Sequence, residues 1–268
     1  MKGIRADVRL VEAGLAPSRE KARSLIMAGL VYHGEVRIDK AGEAVAEDAV
    51  LDVRENPNPF VSRGGLKLAK AIKTWNIDLC GVVAADIGAS TGGFTDCMLQ
   101  NGASKVYAID VGYGQLDWQL RSDERVVVME RTNARNLTQD MFEKQLDFAS
   151  IDVSFISIKL ILPSLKACMR EGAQAVALIK PQFEAGREKV GKNGVVRNEN
   201  VHKEVIQTIA DFVIETGFSI KALDFSPITG PKGNIEFLIH IENSANNNTI
   251  EISEKIDEVV YNAHKTLA

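Results

Sequence analysis

Hydrophobic positions recur with two different periods along this chain, and the change falls between residues 54 and 63. Apolar residues at Val8, Leu10, Val11 and Leu15 fit a short amphipathic helix. Ser18 then precedes a second helical run with Leu25, Ile26 and Leu30 on one face, and Gly29 is placed to end it. The two helices are expected to pack side by side through Leu10, Leu15, Leu25 and Ile26. Residues 30–45 (LVYHGEVRIDKAGEAV) alternate apolar and polar around His33-Gly34, a hairpin signal, and DAVLDV (48–53) reads as a further short strand. RENPNPFVS (54–62) has two prolines and little periodicity, which predicts a linker with some stiffness.

From Arg63 onward, short apolar runs alternate with longer amphipathic ones. Strands are expected near 82–87, 105–110, 125–130, 147–153, 174–180, 218–225 and 235–242. Helices are expected near 64–75, 93–101, 114–121, 158–170 and 200–216. Near-continuous apolar strands separated by helices imply a parallel sheet covered on both faces. Only SPITGPKGN separates the last two strands. A parallel crossover needs a dozen or more residues, so these two should pair antiparallel. The expected fold is α/β: a seven-stranded, mostly parallel sheet with an antiparallel last strand, as in Rossmann-like methyltransferases, plus a small α+β module in front. The segments are 1–53 for the module, 54–62 for the linker, 63–243 for the α/β domain and 244–268 for a tail. Ile252, Ile256, Val259, Val260, Ala263 and Leu267 give that tail a docking helix.

Composition excludes several classes. The 268 residues are 45% hydrophobic and 25% charged, an ordinary globular mix. No apolar run approaches the ~18–20 residues of a membrane-spanning helix, and the N-terminus MKGIRADVRL lacks a signal-peptide core, so a cytoplasmic protein is expected. Cys80, Cys97 and Cys168 form no CxxC and are expected as buried thiols, without disulfide or metal. The formal net charge is −4, yet residues 1–24 and 180–203 each carry six basic residues against three acidic ones. Screening confines each charge to about 8–10 Å, so such local faces can bind a polyanion on an acidic protein.

The first strand of the large domain runs into Asp86-Ile-Gly-Ala-Ser-Thr-Gly-Gly-Phe-Thr95. Glycines 88, 92 and 93 let a ligand approach the backbone, and Asp110 at the end of the next strand suits a ribose diol. Ser90 stands where a dinucleotide loop needs its second glycine. Asp86, just before the first glycine, suits a cofactor with a cationic amino-acid end, which describes S-adenosylmethionine. A dinucleotide cofactor and an empty loop remain the alternatives at this point.

Four charges fall where sheet strands start or stop. Lys67 lies on the entering helix, Asp152 ends the fourth strand, Lys180 ends the fifth and Glu236 begins the seventh. If the seventh strand is antiparallel, all four meet at the carboxyl edge of the sheet, where open α/β folds bind ligands. Two lysines flanked by two carboxylates make a base of a particular kind, since a neighbouring cation and partial burial both favour a neutral amine. A ribose 2′-hydroxyl needs such help before it attacks a sulfonium methyl.

At these residues the chain resembles the hemolysin-A-labelled, TlyA-type family of ribosomal RNA ribose 2′-O-methyltransferases, and it does so over essentially its whole length. VSRGGLKL, DIGASTGGFTD, YAIDVGYGQL, DVSFISI, LIKPQFEAGR, NGVVR and GNIEF are similar to that family's motifs. Residues from Arg5 through the DAVLDV strand resemble the alpha-L RNA-binding motif, with Ala6 in place of the usual leucine. The resemblance implies a catalytic tetrad of Lys67, Asp152, Lys180 and Glu236. It implies S-adenosylmethionine at Gly88, Ser90, Thr91, Gly92, Gly93, Asp110 and Asp152, and the candidate set also includes Asp86, Ala89, Phe94 and Asn133. Arg5, Arg9, Arg19, Lys21 and Arg23 are the RNA-binding candidates, expected to share one face, with ribosomal RNA or a ribosomal subunit as partner. Two other readings stay open: a dinucleotide-dependent oxidoreductase and a non-catalytic RNA-binding assembly factor. Hemolysis finds no support in the sequence.

Overall fold

Residues 3–27, 29–54, 58–230, 232–244 and 250–267 are described by the structure, a computed structural model. Residues 1–59 and 60–268 form two separate units. In the first, β1 (Ile4–Arg5) leads into α1 (Ala6–Glu12), followed by α2 (Arg19–Met27). Ser18 Oγ accepts the Lys21 amide at 3.2 Å and caps α2. Both helices stop in the same way. Gly14 and Gly29 take φ of +71° and +72°, and Leu15 and Leu30 send their amides back to the carbonyls of Leu10 and Leu25. That turn lifts Leu15 off the helical stripe. It is 37% exposed instead of packed between the helices, while Leu10 and Ile26 are buried.

The hairpin expected at His33-Gly34 is β2 (Val31–His33) with β3 (Val36–Arg37). β4 (Ala44–Val45) pairs with β1, and β5 (Asp52–Val53) pairs with β2. The strand expected over 48–53 shrinks to its last two residues, because the Ala49 amide closes a turn onto Ala46. At the far end of this unit Arg54 donates its amide to Leu30 at 2.9 Å, and residues 55–57 of the expected linker lie outside the described residues.

The second unit opens with α3 (Gly64–Trp75), β6 (Val83–Ile87), α4 (Gly93–Gln100), β7 (Lys105–Ile109), α5 (Trp118–Arg121) and β8 (Val126–Met129). It continues through β9 (Leu146–Ile151), α6 (Leu162–Cys168), β10 (Met169–Ile179), α7 (Pro181–Glu184) and α8 (Glu199–Glu215). β11 (Ser219–Phe225), β12 (Phe237–Glu242) and α9 (Ile252–Leu267) complete it. The seven strands lie in the order β11-β12-β10-β9-β6-β7-β8. β6 to β10 pair in parallel, and β12 runs antiparallel between β10 and β11.

Side chains alternate across this sheet into two cores. Ala84, Val106, Phe148 and Leu238 face α3 and α4, whereas Ile87, Ile151, Ala177 and Ile239 face α6, α8 and α9. Phe148 and Phe237 are fully buried, each contributing about 1.5–3 kcal/mol by area.

Three elements differ from expectation. The helix expected over 158–170 is only Leu162–Cys168, because Pro163 has no amide to continue a helical ladder and is tolerated only at the start. β10 consequently begins at Met169, five residues early, and passes through a register shift before Gln174. The helix expected over 114–121 starts only at Trp118, where Asp117 Oδ1 caps the Gln119 amide. Cys97 and Cys168 are buried, but Cys80 is exposed because it sits in the turn ahead of β6.

Candidate active site

Each member of the charged set sits at an element end, and the topology brings those ends together. Lys67 is in the first turn of α3, Asp152 follows β9, Lys180 follows β10 and Glu236 precedes β12. Lys67 Nζ donates to Glu236 Oε2 at 2.6 Å and lies 3.8 Å from Asp152 Oδ2. Lys180 Nζ lies 2.5 Å from Asp152 Oδ1 and donates to Ser154 Oγ at 3.1 Å. The approach to Oδ1 is an ion pair without hydrogen-bond directionality, since that buried oxygen has no donor aimed at it. Lys67, Lys180 and Glu236 are only 8%, 7% and 1% exposed. Charges that deep need partners, and here two cations alternate with two anions. The Asp152 carboxylate stands between the two ammonium groups, so the lysines do not face each other directly. Ser154 was not among the expected residues, although it lies two positions from Asp152 in the same DVS segment.

The glycine loop abuts this array. Gly88 has φ +87°, and a Cβ there would stand 2.5 Å from the main-chain oxygen of Asp152. Gly92, at φ +95°, lies beneath Leu120 and Leu116, and Gly93 lies against Ser62 and the Gly65 amide. Leading into this region, Val61 donates its amide to Asp96 Oδ2 at 2.8 Å. Asp110 at the tip of β7 is fixed by two backbone donors: Oδ2 accepts Ser90 N–H at 2.8 Å and Oδ1 accepts Gly112 N–H at 2.7 Å. Ser90 and Thr91 are exposed on the loop, and Ser90 itself takes φ +48°. Ala89 is buried. Asn133 caps a 3-10 turn after β8, its Oδ1 accepting the Arg135 amide, and its side chain is exposed.

Two residues of the expected cofactor set do something else. Asp86 is fully buried, its Oδ2 accepting Thr95 N–H at 2.8 Å and Thr95 Oγ–H at 2.7 Å, its Oδ1 accepting Ser150 Oγ–H at 3.1 Å. Strand period explains the correction: Asp86 shares the face of Ala84, under α4, and so points at the helix start and not at a ligand. Burial pushes its carboxyl up to about 7. Phe94 likewise packs into the core beneath α4. Both hold the loop from behind.

The cationic module is organised by a single buried carboxylate. Asp7, fully buried at the start of α1, receives Arg5 at 3.0 Å, Arg19 at 3.0 Å and Arg23 at 3.2 Å. The side-chain bond from Arg5, joined by Arg19 and Arg23, holds its carboxyl well below the usual range against the cost of burial. Each arginine stays about half exposed, so the three share one face. Arg9 instead donates to the Ala49 carbonyl at 3.0 Å, and Lys21 is exposed outside the cluster. Of the five cations expected to share a face, three converge on Asp7.

A seven-stranded sheet with one antiparallel strand inserted beside the fifth, and a glycine loop after the first, defines a class: the Rossmann-like methyltransferases. The chain belongs to the FtsJ-like methyltransferase family, whose model matches residues 60–243, and an S4 domain matches residues 4–51. YqxC of Bacillus subtilis is 54% identical over 99% of this chain and 96% of its own length. The 16S/23S rRNA (cytidine-2′-O)-methyltransferase TlyA of Mycobacterium tuberculosis is 42% identical over 88% of each. A solved Streptococcus thermophilus structure that carries the hemolysin label is 49% identical, covers 99% of this chain and 97% of its own, and superposes with a TM-score of 0.79. The dinucleotide reading falls with this assignment. Among the described residues no helix is long and apolar enough to cross a membrane.

The cofactor of this family is S-adenosylmethionine, and the residues present fit it. Asp110 keeps lone pairs for a ribose diol after accepting two amides. Glycine is required at 88 by a φ of +87° and by the Asp152 carbonyl, 2.5 Å from where a Cβ would be, so the cradle there is bare backbone.

Proposed function

We propose that this chain methylates a ribose 2′-hydroxyl in ribosomal RNA, with S-adenosylmethionine as donor. The observation that carries the reading is the Glu236–Lys67–Asp152–Lys180 array, which touches the cofactor loop where Gly88 meets the Asp152 carbonyl. When bound, the cofactor supplies a sulfonium-activated methyl group, and the chain's task is to prepare the oxygen that accepts it.

Lys180 is the group for that task. Entering the step as a neutral amine, its Nζ, held by Asp152 and Ser154, orients the 2′-hydroxyl and takes up its proton as the oxygen becomes a nucleophile, and the ammonium so formed is the partner of the Asp152 carboxylate. Asp152 positions Lys180, and Glu236 holds Lys67 against the far oxygen of Asp152. Once Lys180 holds that proton, two positive and two negative groups make the array neutral overall, which suits a buried edge that must receive a polyanion. Arg5, Arg19 and Arg23 anchor the RNA backbone through phosphates, contacts that give affinity without sequence choice. A ribosomal substrate implies action in the cytoplasm.

The test is methyl transfer from labelled S-adenosylmethionine to ribosomal subunits and their RNA, with mapping of 2′-O-methyl positions. Lys180→Ala is expected to lose turnover by at least a hundredfold while keeping S-adenosylhomocysteine affinity within a few fold. Near-normal methylation by that variant would remove Lys180 from the chemistry. Tight binding of NAD with no response to S-adenosylhomocysteine would overturn the cofactor assignment.

A further inference from the structure

Lys180 runs directly into α7 and then into a long loop, residues 185–198, that carries Arg187, Lys189, Lys192 and Arg197, all exposed. Lys189 is paired with Glu204. No carboxylate among the described residues pairs with Arg187, Lys192 or Arg197, nor with the exposed Lys232 on the loop before Glu236. The two loops lie together, since a Cβ on Gly194 would sit 3.6 Å from Lys232 Nζ.

What joins them is buried and polar. Asn234, 3% exposed, accepts the Val196 amide on Oδ1 at 3.0 Å and donates from Nδ2 to the Gly194 carbonyl at 2.9 Å. His202 on α8, fully buried, bonds the Val196 carbonyl through Nε2 at 3.1 Å. A carbonyl only accepts, so Nε2 carries the proton and Nδ1 accepts from His264 Nε2 on α9 at 2.9 Å. Burial, reinforced by His264, pushes His202 down to about 4, so this neutral tautomer holds around pH 7. The Val196 peptide is thus gripped on both its amide and its carbonyl. Asn234 stands two residues ahead of Glu236, whose Oε1 lies 2.6 Å from where a Cβ on Gly230 would be.

We propose that the 185–198 loop, with Lys232, is a second RNA-backbone contact located on the methyltransferase unit, and that Asn234 and His202 are positioning residues holding it beside Lys180 and Glu236. The physical argument is one of contrast. Four exposed cations without partners cost nothing in water but serve no internal purpose, whereas a polar clamp buried this deeply is spent on fixing one loop conformation. Phosphates of the strand entering the active edge supply the matching charge. This inference rests on the RNA-methylating reading above and adds to it a specific surface and its support.

The test uses full-length protein and an RNA that the wild type methylates. A Lys192→Glu, Arg197→Glu double variant is expected to weaken RNA binding at least tenfold and to flatten the salt dependence of log K by about one unit per lost phosphate contact. Its S-adenosylhomocysteine affinity stays unchanged. Asn234→Ala and His202→Ala are expected to raise the RNA concentration for half-maximal single-turnover methylation several-fold. His202→Gln, whose Nε2 amide can still donate to Val196, should restore most of that loss. Unchanged RNA affinity and salt slope in the charge-reversed variant would overturn the surface while leaving the function intact. Equal loss in His202→Gln and His202→Ala would overturn the positioning role. A wild type that neither binds nor methylates RNA would instead sink the functional reading itself.

Discussion

Lys67 Nζ lies 2.6 Å from Glu236 Oε2 although 169 residues separate them in the chain. The pair exists because β12 runs against its neighbours. Its six residues span about 20 Å at ~3.4 Å each, so a parallel β12 would have begun at the opposite edge of the sheet. Removing one member of so buried a pair leaves an uncompensated charge. Glu236→Ala is expected to lower unfolding free energy by about 3 kcal/mol and to abolish turnover. Glu236→Gln, which keeps an acceptor for Lys67, should recover most of the stability and little of the activity. Denaturant titrations of the three proteins check this, and an alanine variant as stable as wild type would mean the pair is not the fixed feature seen here.

The glycine loop offers a steric test. A Cβ at Gly88 meets the Asp152 carbonyl at 2.5 Å with φ at +87°. Gly88→Ala must therefore shift either the loop or the residue that carries the array, and S-adenosylhomocysteine affinity should fall at least tenfold. Gly81, at φ +73°, has nothing within 4 Å of its would-be Cβ. Gly81→Ala bears a similar backbone strain with no clash, and its cofactor affinity should match wild type. Calorimetry on both variants separates collision from strain.

Asp7 is the organiser of the cationic module. Asp7→Asn leaves Arg5, Arg19 and Arg23 without their shared anion, and RNA affinity should fall although no positive charge has been removed. The Arg19→Glu, Arg23→Glu reversal should weaken binding further and flatten its salt dependence by about one unit per lost phosphate contact. Cofactor affinity should not change in either. Filter binding across a salt series would expose the idea as wrong if Asp7→Asn bound RNA like wild type.

Two aspartates tie stability to pH with opposite signs. Asp7 titrates below the ordinary carboxylate value near 4, so its stabilisation is present above about pH 4 and is lost as pH falls. Asp86 is raised to about 7 by burial, so the native state holds an extra proton between about pH 4 and 7. Its contribution is complete below pH 4 and drains away as pH rises through 7. Buried neutral His202 acts in the opposite sense over this range, so the difference isolates Asp86: the stability of wild type relative to Asp86→Asn should fall as pH rises from 4 to 8 in thermal unfolding. Parallel curves for the two proteins would count against a protonated Asp86.

Local chemistry was legible where one short segment carries it. The helix stop at Gly29 needs only a residue that tolerates positive φ, and the loop from Gly88 to Gly93 needs only bare backbone. The alternation of apolar runs and helices revealed the α/β sheet, and the nine-residue SPITGPKGN connection revealed the antiparallel last pair, because a chain that short cannot cross a sheet. Pro163 within 158–170 is a break that the sequence itself carries.

What the linear order could not supply was the identity of distant partners. Asp86 looked like a ligand contact until its strand face and Ser150, 64 residues away, turned it toward the helix. Arg5, Arg9, Arg19, Lys21 and Arg23 are equivalent cations in the sequence, and only the folded unit shows that a single buried carboxylate gathers Arg5, Arg19 and Arg23. Composition, period and the positions of Lys67, Asp152, Lys180 and Glu236 at element ends are properties of the sequence itself, because they follow from local sterics and burial. Which oxygen each lysine meets, and which peptide Asn234 and His202 grip, were decided only by tertiary structure. Hydrogen bonds and ion pairs act over about 3 Å, and only the packed sheet brings those residues that close.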